Sequence, residues 1–228
     1  AERGVAIEAV AMYTDTDLGA PFVRMADEAI ALGPAMQPGP DGALVSAYLR
    51  HERMIDALQA AGCDAVWPGW GFVAEDASFV AELEARGIVF LGPSAEAMRR
   101  LGDKIESKRL AEQQQVPMAR WREITPEMDT AEVQENAAAI GFPLMVKASA
   151  GGGGRGIRKV TNESELMAAI PAARQEVAKV FGGGGLFMER CVMGARHVEV
   201  QFVSDSRHRT IALGVRDCSI QRRNQKVL

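Results

Sequence analysis

In the N-terminal part of the chain the spacing of apolar positions changes repeatedly. Residues 5–12 (VAIEAVAM) form an apolar run that predicts a strand. Over residues 43–61, Leu44, Ala47, Tyr48, Met54, Ile55 and Leu58 recur at helical spacing, and Gly62 stops the run. Ala65, Val66 and Trp67 ahead of Pro68 and Gly69 predict a short buried strand and a turn. A helix over 79–85, a break at Gly87 and a strand over 88–91 complete the series. Strands alternating with helices predict a parallel sheet covered by helices, with a further strand expected ahead of residue 1.

Capping signals organise the next stretch. Ser94 is a candidate N-cap for the first of two helices that Gly102 separates within LGDK (101–104), the second running to Val116 and Pro117. Asp129 and Glu132 have capping-box spacing ahead of a helix ending at Gly141, and Asn162 with Glu165 predicts another helix to about Val180. A strand ends at Lys147 and a second β-prone run covers 157–160. Glycines at 182–185 predict a loop before a strand at 186–189. Residues 197–203 (HVEVQFV) alternate cleanly, with Val198, Val200 and Phe202 on one face and His197, Glu199 and Gln201 on the other. A run over 210–215 predicts an antiparallel companion that leads into the polar stretch 216–226.

Composition narrows the class without naming a function. The 228 residues suffice for one large domain or two smaller ones, and 47% hydrophobic with 25% charged residues is ordinary for a soluble globular protein. A net charge of −4 gives no nucleic-acid footprint, and no apolar run reaches membrane-spanning length. Cys63, Cys191 and Cys218 are scattered, with no C-x-x-C pair and no histidine cluster. Neither a disulfide scaffold nor a zinc site is expected, and a reducing cytoplasm fits.

The segment 147–159, KASAGGGGRGIRK, carries the strongest chemical signal. Glycines remove the side chains that would hold a phosphate away from backbone N–H groups, and they allow a loop to move over a ligand. Gly151, Gly153 and Gly156 satisfy G-x-G-x-x-G, but the dinucleotide fingerprint needs a helix directly afterwards, where 157–160 reads as a strand. Strand, glycine loop and strand make a flap over nucleotide phosphates instead. No G-x-x-x-x-G-K-[ST] occurs, so a P-loop is excluded. A flexible surface hairpin is the competing reading.

Lys104, Lys147 and Lys226 end separate elements, where each can bring a compact charge to phosphate oxygens. Most lysines are simply solvated; Lys147 stands apart because a strand and a glycine loop hold it. Glu189 closes an apolar strand and could accept a hydrogen bond from an adenine amino group or a ribose hydroxyl, against the alternative of a solvated strand end. His197 alone reads as a structural residue, although Glu199 and Gln201 make its face polar.

Several stretches together resemble the biotin carboxylases. WPGWGF at 67–72 followed by Glu75 is similar to their H-P-G-Y-G-F-x-x-E element, and FLGP at 90–93 with LGDK at 101–104 to their (F/I)-x-G-P and G-D-K. The glycine segment matches K-A-x-x-G-G-G-G-R-G, RHVEVQ at 196–201 resembles R-H-(V/I)-E-(V/I)-Q, and RDCSIQRRNQK at 216–226 resembles R-D-C-S-x-Q-R-R-H-Q-K. The matches are collinear and span nearly the whole chain.

The resemblance implies an α/β protein: a Rossmann-like N-terminal domain (1–92, its first strand missing), then an ATP-grasp fold with linker helices and a glycine-rich lid (93–192) and the start of a C-terminal subdomain (193–228). It implies ATP, Mg2+ or Mn2+, bicarbonate, and biotin on a carrier domain, with bicarbonate phosphorylated to carboxyphosphate before biotin is carboxylated. Lys104 and Lys147 would contact ATP phosphates beneath Gly152, Gly153, Gly154, Arg155 and Gly156. Glu189, His197, Gln221 and Asn224 would lie by the nucleotide, and Lys226 by the γ-phosphate and bicarbonate as the catalytic residue. Implied partners are a biotin carboxyl carrier domain, a carboxyltransferase and further copies of the chain.

Asn224 stands where the family usually has histidine, so no proton transfer is expected there, and it resembles urea carboxylases. Trp67 and Trp70 replace a histidine and a tyrosine in a W-x-G-W-G variant that resembles large acyl-CoA carboxylases such as acetyl-CoA carboxylase. A urea or pyruvate carboxylase is the alternative. A nucleotide-binding module without turnover is disfavoured by the retained lysines, and carbamoyl-phosphate or purine-pathway ATP-grasp ligases by the 216–226 run. The family's magnesium-binding glutamates and bicarbonate-binding arginine lie beyond Lys226, so no metal ligand is expected in these residues. The chain by itself is expected to be an inactive part of a longer enzyme.

Overall fold

The computed structural model describes residues 4, 6–39, 42–149, 156–181, 184–207, 209–222 and 225–226, with backbone alone at 180, 181 and 225. The chain forms two compact units, Ala1–Gly102 and Asp103–Leu228.

The first unit runs β1 (Val10–Thr14), α1 (Pro21–Met25), β2 (Glu28–Gly33), β3 (Met36–Pro38), β4 (Leu44–Ser46), α2 (His51–Ala60), β5 (Ala65–Val66), α3 (Ala77–Ala85), β6 (Val89–Phe90) and α4 (Ala95–Gly102). Its parallel pairing is β1 with β2 and β5 with β6, in two separate ladders. Met54, Ile55, Leu58, Phe79 and Leu83 bury the facing sides of α2 and α3 in one core with Leu32 and Val66. Asp76 caps α3 through the N–H groups of Ser78 (2.8 Å) and Phe79 (3.1 Å), and Ser94 caps α4 through Ala97 at 3.2 Å.

Two expectations shift here. The strand expected over 5–12 lies at Val10–Thr14, where the ladder to β2 begins. The helix expected over 43–61 starts only at His51. Leu44–Ser46 is extended and pairs antiparallel with Met36–Pro38, and the Ser46 hydroxyl then caps a single turn through the Tyr48 N–H at 3.3 Å.

The second unit runs α5 (Lys104–Gln113), β7 (Trp121–Ile124), α6 (Thr130–Ile140), β8 (Leu144–Ala148), β9 (Ile157–Val160), α7 (Glu163–Phe181), β10 (Leu186–Arg190), β11 (Val198–Ser204), β12 (Thr210–Asp217), β13 (Gln221–Arg222) and β14 (Gln225–Lys226). Strands β7, β10, β8 and β9 form, in that order, an antiparallel sheet. Alternation sends Leu144, Val146, Ala148, Leu186 and Met188 to one face, where they pack with Val133 and Ala137 of α6 and Leu166, Ala173 and Val177 of α7. The opposite face carries Met145, Lys147, Phe187, Glu189 and Trp121, and part of it is covered by Ile105 of α5. Asp129 and Glu132 complete the expected capping box, and Gly141 ends α6 at φ +85. β11 and β12 form the expected hairpin, with Val200 and Phe202 exposed among the described residues. No helix among the described residues is long and apolar enough to cross a membrane.

Candidate functional site

The two strands expected on either side of the glycine segment are present: β8 and β9 are antiparallel neighbours, and Lys147 pairs with Ile157 across the ladder. Both ends of the connecting loop are anchored. Ser149, 2% exposed, donates its N–H to the Gly185 carbonyl (2.8 Å) and accepts the Gly185 N–H on its hydroxyl (3.1 Å). At the far end the Gly156 N–H donates to Glu176 Oε1 of α7 (3.1 Å), while Glu176 Oε2 binds Arg158 at 2.7 Å. Gly156 is demanded by its backbone, and Gly185 leaves room for the tip of Ile105. Gly156 has φ +69, and a Cβ at Gly185 would lie 2.8 Å from the Ile105 side chain. The expected loop residues Gly152, Gly153, Gly154 and Arg155 fall outside the described residues, as does Asn224.

Lys147 and Glu189 meet on the sheet face covered by α5. Glu189 is no solvated strand end: its side chain is 14% exposed, and its two oxygens accept from two different lysines. Lys147 Nζ takes Oε1, and Lys108 Nζ takes Oε2 at 2.6 Å. Lys108 was not among the residues the sequence singled out. Its signal is a K-x-x-x-K spacing from Lys104 on one helix, which puts the two lysines one turn apart on one face.

Burial pushes the Glu189 carboxyl up, but the ammonium groups of Lys108 and Lys147 outweigh it and hold the group below its usual value. A carboxyl depressed on folding stabilises the fold above its unfolded value of 4.5, and that contribution is lost as pH falls through the folded value. Glu189→Gln should therefore cost about 1–2 kcal/mol at neutral pH, allowing for solvent screening, and flatten the acid limb of stability. Urea unfolding at a series of pH values checks both, and an unchanged acid limb would contradict the assignment.

Lys104 begins α5, whose N-terminus is capped by Asp103 through the N–H groups of Ile105 (2.8 Å) and Glu106 (3.0 Å). Its backbone N–H and its Nζ both reach the Ser149 carbonyl, at 3.2 and 3.4 Å. The helix start thus holds Lys104 against the first residue of the glycine loop. Lys104, Lys147 and Glu189, far apart in sequence, are collected around one end of that loop.

The β11–β12 hairpin and the segment after it assemble a second group. His197 Nδ1 lies 3.0 Å from Gln221 Nε2, and that amide nitrogen also donates to the Cys218 carbonyl at 3.1 Å. An amide nitrogen only donates, so His197 Nδ1 is the acceptor and its ring proton is assigned to Nε2. Glu199, directly opposite Arg216 in the ladder, accepts from Arg216 Nε (2.8 Å) and from Lys226 Nζ. Lys226 and Arg216 pull the Glu199 carboxyl down to about 2, so it stays ionised across the physiological range. His197, Gln221 and Lys226 are thus gathered with Glu199 on one hairpin and its extension.

Among the described residues no group of three or more His, Cys, Asp or Glu could hold a metal. A cavity of about 360 Å³ lined by Glu112, Val116, Met118, Trp121 and Ile140 contains none of the candidate residues.

Residues 103–228 match the family model described as the carbamoyl-phosphate synthase L chain, ATP binding domain, and residues 1–98 match the biotin carboxylase N-terminal domain. Over 227 residues the chain is 40% identical to the propionyl-CoA carboxylase alpha chain of Ruegeria pomeroyi, covering 99% of this chain and 32% of that protein. It is 40% identical over 226 residues to biotin carboxylase 1 of Bacillus subtilis, covering 99% of this chain and 48% of that one. The Campylobacter jejuni biotin carboxylase complexed with β,γ-ATP superposes at TM-score 0.85 with 36% identity, over 96% of this chain and 47% of that chain. The biotin carboxylase domain of Hydrogenobacter thermophilus 2-oxoglutarate carboxylase, in complex with MgADP, ADP and bicarbonate, superposes at 0.83 with 40% identity, over 96% and 47%. The chain spans between about a third and a half of the length of these curated relatives.

Proposed function

This chain belongs to the biotin carboxylase family, and from that premise we propose that it supplies the nucleotide-binding part of an enzyme carboxylating carrier-bound biotin with ATP and bicarbonate. The observation that carries the proposal is the lysine pair on Glu189 beside a glycine loop anchored at Ser149 and Gly156. A bicarbonate oxygen would attack the γ-phosphorus of ATP and displace ADP, giving carboxyphosphate. Negative charge gathers on the equatorial oxygens in that step, and fixed cations that face it lower the barrier. Lys104 and Lys147 would serve the ATP phosphates, and Lys226 the γ-phosphate and bicarbonate. His197, Gln221 and Asn224 would lie by the nucleotide. Glu189 has one lysine on each oxygen and would accept from an adenine amino group or ribose hydroxyl on a remaining lone pair. Closure of loop 151–156 would exclude water from an intermediate that hydrolyses readily.

Magnesium accompanies ADP in the solved 2-oxoglutarate carboxylase domain. The described residues offer no group of three or more His, Cys, Asp or Glu for a metal. Carboxybiotin on a carrier domain would pass to a carboxyltransferase, within an assembly of several copies. The preferred acceptor class is acyl-CoA, on the strength of the W-x-G-W-G variant at 67–71 and of relatives that include propionyl-CoA carboxylase alpha chains. In the protein carrying this chain, ATP cleavage should rise on adding bicarbonate, and label from bicarbonate should enter acetyl- or propionyl-CoA. Bicarbonate-independent cleavage would overturn the enzymatic reading, and label entering pyruvate or urea instead would overturn the acceptor.

A further inference from the structure

Lys108 belongs to no motif identified in the sequence, yet it is among the most tightly held cations of the second unit. Its side chain is 18% exposed, and its Nζ lies 2.6 Å from Glu189 Oε2. The same ammonium sits 5.6 Å from the Trp121 ring centroid and 5.4 Å from that of Phe187. Those rings meet edge-on at 6.2 Å, and the Trp121 indole N–H is fixed by Glu112 Oε1 of the same helix at 2.8 Å. Aromatic faces attract a cation but supply no counter-charge, so Glu189 is the anion that Lys108 answers to.

Glu189 therefore serves two lysines, and the second is Lys147 at the root of the glycine loop. As Lys147 moves its charge toward a phosphate, its hold on Oε1 weakens. Stripping a mostly buried carboxylate of its only cation is costly, whereas a carboxylate that keeps one cation bears the loss far better. We propose that Lys108 is a positioning residue: by holding Oε2 it keeps Glu189 neutralised and so frees Lys147 to exchange from Oε1 to a nucleotide phosphate. This rests on the nucleotide reading given above. Without Lys108, Lys147 becomes the sole counter-ion of Glu189 among the described residues and is held back. The deficit then appears in recognition of the phosphates and not of the nucleoside.

The test measures ATP and adenosine binding, by competition against a fluorescent nucleotide, in the protein carrying this chain and in its variants. Lys108→Met keeps the stem over Trp121 and Phe187 and removes the charge; ATP should bind about tenfold more weakly, with adenosine within about twofold. Lys108→Arg should restore ATP affinity. Decisive is the same substitution in a Glu189→Gln background, where Lys147 is no longer held by a carboxylate: there Lys108→Met should change ATP affinity by less than about twofold. A loss of about tenfold in both backgrounds would mean that Lys108 acts on the phosphates directly, and would overturn the inference. So would ATP affinity unchanged by Lys108→Met, or equal losses for ATP and adenosine. If the unsubstituted protein bound ATP no better than adenosine, the nucleotide reading itself would fall and the inference with it.

Discussion

Lys226→Met is expected to lower bicarbonate-dependent ATP cleavage by on the order of a thousandfold while ADP affinity stays within about threefold. The magnitude is that of removing one fixed positive group from a site where charge develops only in the transition state. The geometry suits such a selective loss. Lys226 reaches Glu199 from β14, and Glu199 keeps Arg216 at 2.8 Å when Lys226 is removed. No orphaned carboxylate results, and the hairpin ladder between β11 and β12 is untouched. Steady-state kinetics with and without bicarbonate, alongside ADP titration, read the two quantities separately. Loss of ADP binding with chemistry persisting in the residual complex would show that the role given to Lys226 is wrong.

Lys147→Met should weaken ATP by about thirtyfold and leave adenosine within about twofold, as expected for one charge-assisted hydrogen bond in a partly desolvated site. Here too the fold has a reserve, because Lys108 continues to neutralise Glu189. The buried residues Leu144, Val146 and Ala148 of β8 face away from the substitution, with Leu144 and Val146 at 0% exposure packed under α6 and α7. Equal weakening of ATP and adenosine would mean that the substitution unfolds the strand and its loop, and that Lys147 is structural.

Most of the second unit could be read from residues that act locally. Asp129 and Glu132 announce α6 because a capping box is complete within four residues, and Gly141 ends it because φ +85 favours glycine. The glycine run between two β-prone stretches marks the connection from β8 to β9, which Gly156 closes at φ +69. In the first unit the helical spacing over 43–61 misled because spacing does not reveal which positions are buried. Met54, Ile55 and Leu58 enter the core, whereas Leu44 is 65% exposed on a strand whose pairing depends on Met36–Pro38. After Glu28, β2 reads AIALG with no polar position, so no apolar–polar alternation marks it, and it exists through its parallel ladder to β1.

The candidate site divides along the same line. Lys104, Lys147 and Glu189 stand out by their place at the ends of elements. Their grouping depends on the order of strands in the sheet and on α5 lying over one face of it, which no local pattern encodes. Lys108 is missed for that reason: on the helix alone it is a surface lysine, and only Glu189 on β10 and the rings of Trp121 and Phe187 give it a fixed position. Val198, Val200 and Phe202 show the converse. Their alternation divides the two faces of β11 correctly, yet all three side chains are exposed among the described residues.

On the proposed function, the lysines around the glycine loop serve a phosphoryl transfer from ATP to bicarbonate. Isotope transfer reads that step: the protein carrying this chain is supplied with ATP and 18O-labelled bicarbonate, and the phosphate released is analysed by mass. If a bicarbonate oxygen attacks the γ-phosphorus and stays on it when carboxyphosphate breaks down, each phosphate carries one labelled oxygen. Unlabelled phosphate, its fourth oxygen taken from water, would show that water and not bicarbonate attacks ATP.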